Sequence, residues 1–245
     1  MIILFKLCTY TDRLTINKGR PLFVKSIKEL IFVCLNSILS QMTPSDKIVF
    51  FFDGNDAESD IKKLCNHYKI NYESFVFNYR SSAKIHEETI KYITNVDDNE
   101  LLYLCEDDYL HFSNALSKIK EFLKKYPMYF CHSIDYPNLY ESDPRFVYKS
   151  SIILTDTHFW RSIKSTTYTF AFTKKLFNAT YDTFKLIKED MVYIHAINLL
   201  YVFFECYSPI PSLSSHISID CLPYNINTEQ EYNNNYNQIL NIISL

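Results

Sequence analysis

Apolar and polar positions alternate between two periods along the first half of this chain. "MIILFKLCTY" is a nearly unbroken apolar run, the pattern of a strand covered on both faces. "PLFVKSIKELIFVCLNSILSQM" then places Leu30, Val33, Cys34, Ile38 and Leu39 at helical spacing. "DKIVFFFDGND" predicts a second strand ending in a turn, "AESDIKKLCNHYK" a helix, "YESFVFN" a third strand and "SAKIHEETIKYITNV" another helix. A fourth strand, "LLYLCEDDY", closes the series. Strands and helices taking turns in this way predict an α/β fold, a mostly parallel central sheet flanked by helices.

The second half is less regular. "SNALSKIKEFLKKY" predicts an amphipathic helix, "MYFCHSID" a strand, and residues 136–165 a long irregular section with short strands. "TYTFAFTKKLFNATYDTF" pairs a strand with a short helix, and "KEDMVYIHAINLLYVF" is a helix. "CYSPIPSLSSHIS" reads as a loop because of Pro209 and Pro211, and "QEYNNNYNQILNIISL" as a terminal helix. No internal repeat is visible, and 245 residues are organised here as one domain.

Composition narrows the function. With 25 basic against 28 acidic residues the net charge is −3, which lacks the basic footprint of a nucleic-acid binder. Seven cysteines without a CxxC pair, most of them in apolar runs, predict reduced thiols of a cytoplasmic protein rather than a disulfide frame or zinc site. The apolar start carries Lys6 and is too short for the ~20 residues of a membrane span, so no integral span is expected.

Chemistry is concentrated where strands end. Ligands bind open α/β sheets at the carboxyl ends of the strands, and two such ends are acidic: Asp53-Gly54-Asn55-Asp56 and Glu106-Asp107-Asp108. Carboxylates gathered at one place repel unless a cation sits among them. Mg²⁺ or Mn²⁺ takes one or two protein carboxylates and fills its shell from phosphate and water, which points to a nucleoside diphosphate. The other account of the trio is a helix N-terminus, where acids favour the dipole.

The segments "NSILSQMTPSDKIVFFFDGND" and "LLYLCEDDY" resemble the family-2 type of GT-A-fold glycosyltransferases, the second being similar to their strand and DxD motif in the variant form Glu-Asp-Asp. The resemblance covers most of the first 110 residues. It implies a single GT-A-type domain with residues 1–112 as the nucleotide-sugar-binding half, 113–222 as the acceptor-binding half and 223–245 as a C-terminal tail or helix. It implies Asp53 at the uracil or ribose, Asp107 near the ribose and Asp108 on the metal, with Thr9 and Thr11 contacting the nucleotide. Asp190, in "LIKEDMVYIHAINLLY", would be the base that deprotonates the acceptor hydroxyl; as plain chemistry Glu189-Asp190 also suits a helix cap. His216 would be a second metal ligand, or a surface histidine. Trp160 is either a sugar-stacking platform or a core residue. Arg80 and Lys84 lie either near the diphosphate or at a solvated helix start.

The function so implied is metal-dependent transfer, with inversion, of a sugar from a nucleotide-sugar donor of UDP type to a glycan, lipid-linked or protein acceptor. Two other classes stand beside it. A nucleotidyltransferase uses a related sheet, and "TYTDRLTINKGRP" supplies Arg13, Lys18, Gly19 and Arg20 without that class's glycine density. A non-catalytic carbohydrate-binding or partner-binding protein could keep the same fold.

Overall fold

The structure is a computed structural model that describes residues 1–10, 19–54, 58–140, 150–187 and 199–243. The apolar run at the start forms β1 (Ile2–Cys8), and the next three predicted strands form β2 (Lys47–Asp53), β3 (Asn71–Phe77) and β4 (Leu101–Glu106). They lie side by side in the order β3-β2-β1-β4, all parallel. Beyond β4 the sheet becomes mixed. β9 (Phe170–Thr173) runs antiparallel to β4, and β6 (Phe130–His132), β10 (Cys206–Ile210), β8 (Phe159–Ile163) and β7 (Ile152–Leu154) continue it to nine strands.

The helices connecting the parallel strands are α1 (Ile27–Leu39), α2 (Glu58–Tyr68) and α3 (Ser82–Thr94). α1 begins at Ser26, whose side chain accepts from the Glu29 N–H at 3.0 Å, so Pro21 to Lys25 stay outside a helix that the apolar spacing alone would start earlier. α4 (Ala115–Lys125), α5 (Lys174–Lys185) and α6 (Thr228–Ile239) follow. The predicted tail helix α6 docks on α1: Tyr232 donates to Glu29 Oε1 at 2.8 Å, and Asn36 donates to Asn235 at 2.9 Å.

Side chains along each strand point to opposite faces by turns, and the core is accordingly double. Ile3, Phe5 and Leu7 of β1 join Phe50, Phe52, Tyr103 and α1 on one face. Ile2, Leu4, Val49, Phe51, Leu102 and Leu104 join α3 and α5 on the other. The second set turns polar as the strands end: Ile2 and Leu4 give way to Lys6 and Cys8, Phe51 to Asp53, and Leu104 to Glu106. That change of character opens a cleft on the α3 side of the sheet.

Two expectations need correction. "CYSPIPSLSSHIS" is not a loop but β10 and β11 (Ser214–His216). β10 pairs with β6 only at Cys206 and Tyr207, so Pro209 has passed β6, and the position tolerates a residue without an N–H. β11 pairs antiparallel with a short strand, β5 (Tyr109–His111), that the acidic trio had hidden. Trp160 is core: it is fully buried, packs on Phe122 at 4.4 Å and donates to Thr155 Oγ1. The seven cysteines are free in the structure, five of them buried. Among the described residues no helix is long and apolar enough to cross a membrane.

Candidate functional site

A cleft of about 400 Å³ lies over the carboxyl ends of β1, β2 and β4 and the start of α3. Lys6, Cys8, Asp53 and Glu106 line it from the sheet, Tyr10, Arg80, Ser81 and Asp107 from the loops and turns, and Ser82 from the start of α3. α3 presents its N-terminus here, capped by Ser81, so the positive end of the helix dipole faces this side of the molecule.

The three consecutive acids turn to three different partners. Glu106 faces the cleft with Lys6, its register neighbour on β1. Burial pushes its carboxyl up to about 7, Lys6 opposing the shift and Asp108 adding to it. Lys6 also reaches Ser82 Oγ and lies 5.0 Å from the centre of the Tyr168 ring. Asp107 is buried and accepts the Cys8 N–H at 3.0 Å, which ties the end of β4 to the end of β1. Asp108 turns the other way. Its Oδ2 is 2.8 Å from Arg20 Nη2 and 3.2 Å from His216 Nε2.

β5 and β11 explain that last encounter, because the antiparallel register sets His216 opposite Tyr109 and thus beside Asp108. The rings of Tyr109 and His216 stack in parallel at 5.0 Å, and the Ile217 N–H donates to the Asp108 carbonyl at 2.9 Å. Burial works against charge on both side chains of the pair. For Asp108 the attraction of His216 and Arg20 prevails and holds its carboxyl well below the usual carboxylate range. For His216 the Asp108 carboxylate prevails and raises the imidazole to about 10.

Asp53 is engaged with the protein itself. Its Oδ1 accepts from the Tyr10 hydroxyl at 2.7 Å and from the N–H groups of Tyr79 and Arg80 at 2.8 and 3.1 Å. Its Oδ2 accepts from the Ser81 N–H at 3.1 Å. Arg80 is held at φ +48, a left-handed conformation uncommon outside glycine. Its guanidinium lies over the Tyr10 ring at 4.4 Å, and the pair forms one lip of the cleft. Lys84 is exposed, with its ammonium over the Tyr79 ring at 5.4 Å.

Thr9, like Asp108 and His216, is a sequence candidate that does not line the cleft. It is fully buried, its N–H donates to the Asp53 carbonyl, and its Oγ1 has no hydrogen-bond partner among the described residues. Gly54, at φ +112, packs against it so closely that a Cβ would lie 3.0 Å from the Thr9 carbonyl carbon and 3.1 Å from its Oγ1. Gly54→Ala is therefore expected to destabilise the protein by about 2 kcal/mol, combining backbone strain with a clash against backbone. Thermal unfolding of the variant checks this. Thr11 and Asp190 lie outside the described residues.

Residues that sequence reading had not singled out for this cleft are Lys6, Tyr10 and Ser82. The signal for Lys6 was available: it is the first polar residue in a run whose every other position faces a core. Arg20, noted only for a nucleotide loop, proves to be a direct partner of Asp108.

A divalent ion here would have two protein donors: Asp108, whose Oδ2 already accepts from Arg20 and His216, and His216 itself once its ring has lost a proton. A carboxylate and an imidazole suit Mn²⁺ or Mg²⁺, the nitrogen favouring Mn²⁺. Among the described residues no cluster of three or more His, Cys, Asp or Glu could hold an ion alone, so phosphate and water would complete its shell.

No protein-family model matches the chain, and no curated protein does. Solved structures do. S. aureus TarS 1-349, a glycosyltransferase, aligns with 85% of this chain and 60% of its own at 13% identity and a TM-score of 0.54. Its complex with UDP-GlcNAc aligns with 85% of this chain and 56% of its own at 14% identity and a TM-score of 0.51. The inositol-1-phosphate CTP transferase from T. maritima aligns over the full chain and 98% of its own at 13% identity and a TM-score of 0.52. The chain thus spans little more than half of the TarS fragment. At such identities these likenesses concern the fold, and the chain has a GT-A-like α/β fold.

Proposed function

We propose that the protein is a metal-dependent glycosyltransferase that moves a sugar from a UDP-type nucleotide sugar to a hydroxyl of a glycan, lipid-linked or protein acceptor, with inversion. The observation that supports this best is a cleft at the carboxyl ends of β1, β2 and β4 lined by Asp53 and Asp107, with Asp108 following Asp107 in the chain and paired with His216. The TarS complex with UDP-GlcNAc shows that a neighbouring fold takes such a donor.

On this reading the nucleoside lies in the cleft between the Tyr10 and Arg80 lip and the β4 end. An aromatic face and a guanidinium there suit stacking on a base. Asp107 meets the ribose, Asp53 shapes the wall through the turn at residues 79–81, and the diphosphate leads out over Asp108. Asp108 and His216 would hold the divalent ion, which neutralises charge on the departing diphosphate when bound. Asp190 takes the proton of the acceptor hydroxyl as that oxygen attacks the anomeric carbon from the side opposite the diphosphate. A positioned base of this kind contributes ~10²–10⁴-fold. The free thiols agree with a cytoplasmic setting.

Thermal shift with UDP, CDP, GDP and UDP-sugars, each with and without Mn²⁺, tests the proposal. A ligand that binds the native state raises its apparent stability, by ~2.7 kcal/mol at a hundredfold excess over Kd. A uridine nucleotide with Mn²⁺ should give the largest rise, and Asp108→Asn should abolish the part that depends on Mn²⁺. Absence of any nucleotide-dependent rise in the unaltered protein would favour a non-catalytic binding role.

One observation favours a second reading. The T. maritima CTP transferase matches along nearly its entire length, whereas TarS extends well beyond this chain. Pyrophosphate release from a nucleoside triphosphate and a sugar phosphate would identify a nucleotidyltransferase.

A further inference from the structure

We propose that Arg20 is a built-in counter-cation that occupies the metal-binding oxygen of Asp108 until a nucleoside diphosphate arrives, so that divalent ion and nucleotide bind only together. This rests on the reading of the site as a metal and diphosphate site.

Asp108 Oδ2 carries two partners, the Arg20 guanidinium at 2.8 Å and His216 Nε2 at 3.2 Å. The two side chains of the shorter pair are 15% and 13% exposed, so solvent screens their attraction little. Arg20 is also held by the protein around it. Its Nη1 donates to the Ile217 carbonyl, and the Gly19 carbonyl accepts the Ile219 N–H at 3.2 Å and the Ser218 hydroxyl at 3.4 Å. Residues 19–20 are thereby strapped to the segment that follows β11, the strand that carries His216. The guanidinium is a fixed feature of the Asp108 environment rather than a loose surface side chain.

A divalent ion approaching Oδ2 unaccompanied meets a positive group already bonded to that atom. The ion must displace it from the carboxylate and leave it without an anionic partner, holding only the Ile217 carbonyl, so binding of the ion alone is weak. A diphosphate changes the balance. Its oxygens match the two-pronged donor geometry of arginine better than one carboxylate oxygen does. Arg20 would then turn its Nη2 donor from Asp108 to phosphate, and Asp108, with His216 after release of the imidazole proton to water, would be free to hold the ion. Each ligand thus strengthens the binding of the other by the same factor, as linkage requires. The protein would not take up metal in the absence of nucleotide, and Arg20 would act as a positioning residue for the diphosphate.

Equilibrium titration of Mn²⁺ with UDP absent and with UDP saturating, on the unaltered protein and on Arg20→Gln and Arg20→Lys, tests this. Arg20→Gln should bind Mn²⁺ alone at least tenfold more tightly than the unaltered protein, and the strengthening of Mn²⁺ binding by UDP should shrink at least tenfold. Arg20→Lys keeps the charge and loses the fork, so it should exclude Mn²⁺ as the unaltered protein does while binding UDP more weakly. A purely structural arginine would lower both affinities in both variants. If Arg20→Gln binds Mn²⁺ alone no more tightly than the unaltered protein, while that protein binds UDP and Mn²⁺ together, the inference is wrong and the proposed function stands. If the unaltered protein binds UDP and Mn²⁺ in no combination, both are wrong.

Discussion

Asp53→Ala is expected to lower stability by about 4 kcal/mol and nucleotide affinity by at least tenfold. The carboxylate accepts three successive backbone N–H groups, from Tyr79, Arg80 and Ser81, together with the Tyr10 hydroxyl. Hydrogen bonds to a charged acceptor are worth ~1.5–3 kcal/mol each, and partial access of water to the turn reduces the sum. The effect on binding follows from the same bonds. Asp53, together with the Tyr10 hydroxyl that it orients, holds the Arg80 N–H at φ +48, and Arg80 with Tyr10 makes the lip of the cleft. Asp53→Asn keeps one acceptor oxygen and should lie between the two. Urea unfolding and nucleotide titration on the same samples separate this role from direct contact with the ligand. A carboxylate that only touched the nucleotide would lose affinity without losing stability, and that result would contradict the role given to Asp53 here.

This example also shows which parts of the site were legible in the sequence. Parallel strands with helical connections could be read from period alone, because local side-chain burial dictates both patterns. The strand ends were legible too, since Lys6, Asp53 and Glu106 break rows of alternate core residues. The partners of those residues were not. Asp53 reads as a ligand contact until the turn at 79–81, brought beside it by the pairing of β2 with β3, is seen to fill its lone pairs. The three acids read as a single cation site, yet Lys6, Cys8 and Arg20 take one each, from segments ~90–100 residues away along the chain that only the sheet brings close. Thr9 shows the converse. A threonine at a strand end reads as a ligand donor, but the turn at Gly54 closes over it. Pro209 and Pro211 suggested a loop because proline usually ends a strand, and here β6 is too short to ask for the missing N–H.

Stability of the metal-free protein should peak near pH 6.5 and fall by about 3 kcal/mol on acidification to pH 5. His86, His111 and His132 are all buried. Burial depresses each to about 4, more strongly than their bonds to the carbonyls of Phe184, Tyr109 and Thr169 restore it. In the unfolded chain they titrate near 6.5. Between these values the unfolded state holds three protons that the native state lacks, so stability falls as pH falls through this window. Glu106 acts in the opposite sense. Its folded value of about 7 lies above the ordinary carboxylate value, so its protonation favours the native state as pH drops toward 4.5 and offsets one of the three histidines. His216, raised to about 10 against burial by Asp108, contributes stability that is complete below 6.5 and lost as pH rises toward 10, which closes the curve on the alkaline side. Each histidine accounts for roughly 1–2 kcal/mol between pH 6.5 and 5, and Glu106 returns a similar amount. Glu106→Gln removes the compensation and should deepen the acid loss to about 5 kcal/mol, while stabilising the protein above pH 7. Urea midpoints measured from pH 5 to 9 with a chelator present give both curves, and a flat profile for the unaltered protein between pH 6.5 and 5 would show that the three imidazoles are not held neutral.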